Sequence, residues 1–155
     1  MNREIVSFEE PLDAELSSPP RERVLAGNPS QRIQNYFSDA QGRFHCGRWT
    51  CEVGAWRVRY TEVELCHLLA GQVRLKSDAG GEWQFGAGST FVINKGFSGI
   101  WETVERCEKV YAIRARNGQS VIVEMSADGR NERVVYQVPL QLVDDLSAVN
   151  SISVS

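Results

Sequence analysis

The sequence predicts an all-β domain, a barrel or sandwich, and three observations carry that prediction. Short apolar runs recur from residue 44 onward, turns rich in Gly, Asn and Asp separate them, and no segment shows the three-to-four spacing of an amphipathic helix. The length, 155 residues, is that of one domain. Hydrophobic residues make up 42% and charged residues 24%, the balance of a chain that buries a core rather than one that stays disordered.

Taken in order, residues 1–40 carry Pro11, Pro19, Pro20 and Pro29 among charged and small polar residues, with no period. They are expected to form an irregular arm with room for one short strand, packed along the domain or across to a partner subunit. The first clear strand is FHCGRWTCEV, residues 44–53, closed by Gly54. In WRVRYT, residues 56–61, Trp56, Val58 and Tyr60 share one parity and Arg57 and Arg59 the other, the mark of a half-buried strand. The run from Leu65 to Leu69 is apolar on both parities, which predicts a strand covered on both sides. Gly71 marks a bend, VRLK continues, and SDAGG makes a hairpin turn. GSTFVIN and SGIWETV flank the turn Asn94-Lys95-Gly96, and KVYAIRA and SVIVEM follow as separate strands. SADGRN then turns into RVVYQV, a last hairpin over residues 118–138. The final residues, 143–155, are weak in signal and read as a frayed end or a short helix. The division that results is an arm over 1–40, a core over 41–115, and an extension over 116–155 packed on the same domain.

Charge and cysteine usage narrow the function classes. Seventeen basic against twenty acidic residues give a net charge of −3, which lacks the electrostatic footprint of a nucleic-acid binder and any polybasic membrane patch. No apolar run is long enough to span a bilayer, and the first twenty residues lack the order of a signal peptide, so the expected location is cytoplasmic. Cys46, Cys51, Cys66 and Cys107 form no CxxC pair, and only His45 and His67 could join them at a zinc ion. They read as reduced, mostly buried thiols.

The informative constellation is Tyr60, Glu62 and Glu64, spaced two apart across the end of one strand and the start of the next. On a shared face they bring a phenol and two carboxylates to the mouth of a barrel, where mutual repulsion would keep a proton on one carboxyl and make an acid/base pair. A turn at Glu62 resets the period instead, leaving Glu62 in water and one buried Glu bonded to a tyrosine or a backbone amide. Both readings stay open from the residues alone.

The stretch GAWRVRYTEVELCHLLAG, residues 54–71, followed by GSTFVINKGFSGIWET, residues 88–103, resembles the paired motifs of the cupin superfamily. It is similar in particular to the branch of ureidoglycine aminohydrolase-related and ethanolamine-utilisation cupins. The resemblance covers about residues 40–115 and implies a jelly-roll β-barrel, usually paired into a homodimer. Metal-binding members present histidines and a glutamate from the first motif and a histidine from the second. Matched position by position, this chain has Val58, Tyr60, Glu62 and Glu64 in the first and Gly99 in the second. Only Glu64, with Glu62 as a second carboxylate, keeps a ligand type, so no metal or other cofactor is expected; Glu62, Glu64 and Tyr60 with waters are what remains for a hard cation.

Gly99 is expected to open space inside the barrel, with Trp101 and Trp56 on the inward parity as aromatic walls. Glu102 has the other parity and is expected in a surface or interface pair, while its recurrence in the family string keeps it a ligand-binding candidate. His67 points away from Glu64, and Lys95 stands in a turn from which it reaches an anionic ligand at the rim or solvent. The expected function is a barrel that binds a small polar, nitrogenous metabolite. Tyr60 and Glu62 would orient it, Glu64 would exchange a proton as in a hydrolase or deaminase, and Val58, Gly99, Trp56 and Trp101 would line the pocket. The alternative is a non-catalytic binding or regulatory cupin with a vestigial site.

Overall fold

A computed structural model describes residues 3–114, together with the backbone of 122–124 and 135–137. Its strands are β1 (Glu15–Ser17), β2 (Val24–Gly27), β3 (Gln31–Ser38), β4 (Phe44–Cys51), β5 (Gly54–Arg59), β6 (Val63–Ser77), β7 (Glu82–Gly86), β8 (Thr90–Ile93), β9 (Ser98–Arg114), β10 (Ile122–Glu124) and β11 (Val135–Gln137). One 3₁₀ turn at Arg21–Arg23 is the single helical element among the described residues, none of which forms a helix long and apolar enough to cross a membrane.

Two long strands organise the main sheet. β9, seventeen residues, pairs along one edge with β5 through Ser98–Thr103 and with β4 through Cys107–Arg114. Its other edge pairs with β6 along nearly the whole length, from Val63↔Arg114 to Ser77↔Gly99. The free edge of β6 is shared in turn by β8, opposite Glu64–His67, and β7, opposite Gln72–Lys76. β6 and β9 therefore run through two layers, β1-β3-β4-β9-β6-β8 and β2-β5-β9-β6-β7, and the core lies between them. This is the expected all-β jelly roll.

The fold depends on a shared bend in the two long strands. Gly71, with φ +86°, sits so close to the backbone of Arg106 and Cys107 that a Cβ would collide with both. The pairing of β6 with β9 slips between Leu68 and Val73 at the same place. Across the slip the inward set on β6 changes from Glu64, Cys66 and Leu68 to Val73 and Leu75, so each half turns its apolar face to the core.

Four sequence expectations are corrected. Residues 15–38 are not an irregular arm: β1, β2 and β3 join the main sheet, and the eight-residue β3 pairs with β4 and buries Gln31 and Ile33. SGIWETV and KVYAIRA are one bent strand, because the apolar gap at Glu105–Arg106 is the outer side of the bend rather than a turn. Leu65 and Leu69 are 44% and 41% exposed on the outer face, so among the described residues β6 is covered on one side only. Gly99 opens no space; a Cβ there would run into the Lys76 carbonyl, and the missing side chain lets β9 approach β6. SVIVEM and RVVYQV contribute β10 and β11, paired antiparallel as expected, while their turn and residues 138–155 lie outside the described residues.

The β3–β4 connection is closed by a side-chain chain that carries a pH prediction. Tyr111 donates to Asn35 (2.8 Å), Asn35 to Ser38 (2.9 Å), and the Ser38 hydroxyl to His45 Nδ1 (2.8 Å), while His45 Nε2 donates to the Gly42 carbonyl (3.0 Å). Burial pulls the His45 pKa below its ordinary 6.5, against the Gly42 carbonyl and the Asp39 carboxylate, which favour the charged ring. With the folded value depressed, the unfolded chain takes up the proton first as pH falls, so stability from this ring is complete at neutral pH and declines below about 6.5. Urea midpoints measured from pH 7.5 to 5 should fall more steeply for the native protein than for His45→Gln; parallel profiles would refute the assignment.

Candidate functional site

The interior between the layers is built around one buried charge pair. Trp49 and Leu68 stand opposite Lys109 on the two strands that flank β9, so the lysine side chain has to run inward along the core. Its Nζ lies 3.0 Å from Glu64 Oε2 and 3.7 Å from Cys66 Sγ. The same ammonium sits 4.4 Å from the Trp49 ring centre and 4.5 Å from that of Trp101. Lys109 is 0% and Glu64 1% exposed.

Electrostatics keep the lysine charged and the nearby thiols protonated. Burial works against the Lys109 ammonium, yet the Glu64 carboxylate beside it outweighs burial and holds its pKa above the ordinary 10.5. Burial and the neighbouring Glu64 carboxylate push the Cys66 thiol well above 9.0, and burial does the same to Cys51 and Cys107. The four cysteines are free thiols, three of them buried.

Three tryptophans close the cage. Trp101 meets Trp49 edge-on, with centroids 5.3 Å apart, and Trp56 lies 6.2 Å from both. Trp101 Nε1 donates to Thr103 Oγ1 at 3.0 Å, so its one polar atom is satisfied inside.

At the open end of this core lies a cleft of about 490 Å³. It opens between β7 and β8, which pair with different halves of β6 and not with each other. Phe85, Phe91, Phe97 and Trp83 wall it, Leu75 and Ile93 close its floor, and Asn94 and Lys95 stand at the rim. Phe85 and Phe91 are stacked, centroids 3.9 Å apart and planes 6° from parallel. Trp83, 47% exposed, meets Phe97 edge-on at 6.5 Å.

The candidates drawn from sequence separate accordingly. Tyr60 and Glu64 are both buried, Tyr60 against the Phe97 ring (6.0 Å, edge-on) and Glu64 against Lys109. Glu62 is half-buried in the β5–β6 connection rather than on a strand. Trp56, Val58 and Trp101 are core residues, packed in the cluster that fills the interior. Glu102 lies on the outer face, its carboxylate 2.8 Å from Arg74 Nη1. His67 also faces outward, with Nδ1 2.7 Å from Thr90 Oγ1. The residues that sequence reasoning missed are the aromatic walls Trp83, Phe85, Phe91 and Phe97, and Lys109. The signal for Lys109 was available: it shares parity with Tyr111 and Ile113 in KVYAIR.

The donor set does not fit a divalent cation. Glu64 Oε2 already holds the Lys109 ammonium, and the Cys66 thiol is kept protonated. Among the described residues no three His, Cys, Asp or Glu side chains are arranged to hold a metal. Lys109 supplies an internal positive charge beside Glu64.

Comparison with known proteins agrees with this architecture. Residues 38–111 match the family model described as the EutQ-like cupin domain. A protein of unknown function of the DUF861 family from Pseudomonas syringae pv. tomato superposes with a TM-score of 0.61 at 24% identity, over 70% of this chain and 46% of that one. This chain thus spans about half the length of that relative. The EutQ protein of Clostridium difficile gives 0.51 at 12% identity, over 68% and 74% of the two chains. A putative ethanolamine utilization protein Q from Salmonella typhimurium gives 0.52 at 12%, over 70% and 100%. No curated protein matches the chain.

Proposed function

We propose, from the premise that residues 38–111 match the EutQ-like cupin domain, that this chain binds a small molecule in the aromatic cleft without transforming it. One observation carries this reading: the cleft of about 490 Å³ is walled by four aromatic side chains, while Glu64 and Lys109 lie outside its lining, sealed in the core. The volume lies within the roughly 300–1,000 Å³ of small-molecule sites, and an apolar wall with two polar groups at the rim is their usual chemistry. A general acid or base must come within hydrogen-bond reach of the proton it moves. Glu64, 1% exposed and engaged by Lys109, is held back from a ligand in the cleft. The proposal takes the non-catalytic alternative over an acid/base hydrolase or deaminase.

Its test combines binding and turnover. Thermal-shift screening of the full-length chain against ring-containing and aliphatic small molecules should find compounds that raise the melting temperature. Trp83→Ala removes a half-exposed wall with little effect on folding and should weaken such a compound about three- to tenfold, given the roughly 0.5–1.5 kcal/mol of an aromatic contact. Mass spectrometry after prolonged incubation should return the compound unchanged. A compound consumed by the native protein overturns the non-catalytic reading; one that binds Trp83→Ala as tightly as the native protein moves the site out of the cleft.

A further inference from the structure

We infer that the ligand of this cleft is an aromatic carboxylate, its ring held between the phenylalanine wall and Trp83 and its acid group held by Lys95 and Asn94. The inference rests on the cleft being a binding site and adds the chemical class.

The rim is richer in donors than in acceptors. Among the described residues the lining holds no acid, and its one charge is the Lys95 ammonium. Asn94 Oδ1 accepts the Lys95 backbone N–H at 2.9 Å, which takes up one of its two lone pairs, and the Asn94 amide adds an N–H₂ donor beside the ammonium. A ligand end that meets an ammonium and an amide donor has to accept hydrogen bonds, and a single negative charge matches the single positive one. An amine would bring a second cation to the same place with no acid in the lining to receive it.

Lys95 is also fixed at its base, unlike a lysine on a free turn. Phe97 N–H closes the turn onto the Asn94 carbonyl at 3.3 Å, with Gly96 at φ +90° where glycine is favoured. The turn is then tied on both sides to Tyr60: Gly96 N–H donates to the Tyr60 carbonyl at 2.7 Å, and Tyr60 N–H to the Phe97 carbonyl at 2.8 Å. Tyr60 is buried, so the backbone beneath Lys95 is anchored to the core. Tyr60, expected from sequence to orient a ligand directly, acts here as the anchor of the turn that does so.

The ring half of the assignment follows from the wall. Phe85 and Phe91 present one flat stacked pair, and Trp83 stands edge-on to Phe97 across the lining. Planar ligands gain offset-stacked and edge contacts on such surfaces, which aliphatic chains do not.

The test is isothermal titration of the full-length protein and of Lys95→Met with 1-naphthoate, 1-naphthamide, 1-naphthylamine and hexanoate. Naphthoate should bind about two- to fivefold more tightly than the amide at low salt, the range of an ion pair at an exposed lysine. Raising the salt to about 0.5 M should erase that preference, because exposed charges are screened. Lys95→Met should bind acid and amide equally, with amide affinity unchanged, and hexanoate should bind weakly or not at all. If the amide or the amine matches the acid in the native protein, or the acid preference survives in Lys95→Met, the carboxylate assignment is wrong while the cleft stands. Hexanoate binding as tightly as naphthoate overturns the aromatic half. No binding by any of the three naphthyl compounds overturns both the inference and the cleft as a site.

Discussion

Lys109→Met should lower the unfolding free energy by about 3–5 kcal/mol, the cost of leaving a buried charge without its partner. Methionine fills nearly the volume of the lysine stem, so little of the loss comes from a cavity. The loss comes from Glu64, which is 1% exposed and whose Oε2 would give up the ammonium now 3.0 Å away. Replacing both residues, Glu64→Leu with Lys109→Met, should recover most of the loss, since an apolar pair of similar volume carries no desolvation cost. Urea unfolding of the three variants against the native protein measures this directly. A single variant within about 1 kcal/mol of native, or a double variant no better than the single, would mean the pair is not the buried charge couple its geometry indicates.

The same pair sets an alkaline limit. The folded pKa of Lys109 lies above its ordinary 10.5, so the unfolded chain loses the proton first as pH rises. The contribution of the pair is complete below about 10.5 and is lost as pH climbs through the folded value. In the double variant that alkaline component should be absent.

How far the sequence discloses this arrangement depends on which physical rule governs each residue. Where a strand has one wet face, alternation is enough: Trp56, Val58 and Tyr60 are buried and Arg57 and Arg59 exposed, as their parity predicts. The turn residues around Asp78–Gly80 and Lys95–Gly96 likewise sit where their backbone freedom places them. β3 was hidden because its buried end is polar: Gln31 is inside to meet Trp49 Nε1 at 3.3 Å, a long-range need that no local pattern shows. Leu65 and Leu69 mislead in the opposite way, since apolarity on both parities looks the same whether or not something covers the outer face.

The site follows the same logic. Glu64, expected to exchange a proton with a ligand at the barrel mouth, is instead sealed against Lys109, a partner 45 residues away on β9 that no local pattern shows. A lysine within a strand is assigned to water by its desolvation cost, and only its shared parity with Tyr111 and Ile113 argued otherwise. Gly99 shows the limit of parity: it has the inward phase, yet its lack of a side chain serves the approach of two backbones, which only the register of β6 on β9 discloses. The cleft is harder still, since it arises from β7 and β8 pairing with different halves of one bent strand.

Trp101→Leu is expected to cost about 2–4 kcal/mol, less than truncation to alanine, and the way that cost divides tests whether the cage acts through its charge or only through its volume. Trp101 combines a ring edge to Trp49, a tilted contact to Trp56, a hydrogen bond to Thr103 and a face toward Lys109. Trp101→Phe keeps an aromatic face while losing the Thr103 bond and part of the volume, and should cost about 1–2 kcal/mol. The step from Phe to Leu then removes the face alone, at nearly constant volume. In the native background that step should cost about 1–2 kcal/mol more than in the double variant Glu64→Leu, Lys109→Met, where no cation remains to be stabilised. Equal steps in the two backgrounds would leave Trp101 as packing only, and the tryptophans would then enclose the ammonium without helping to pair it.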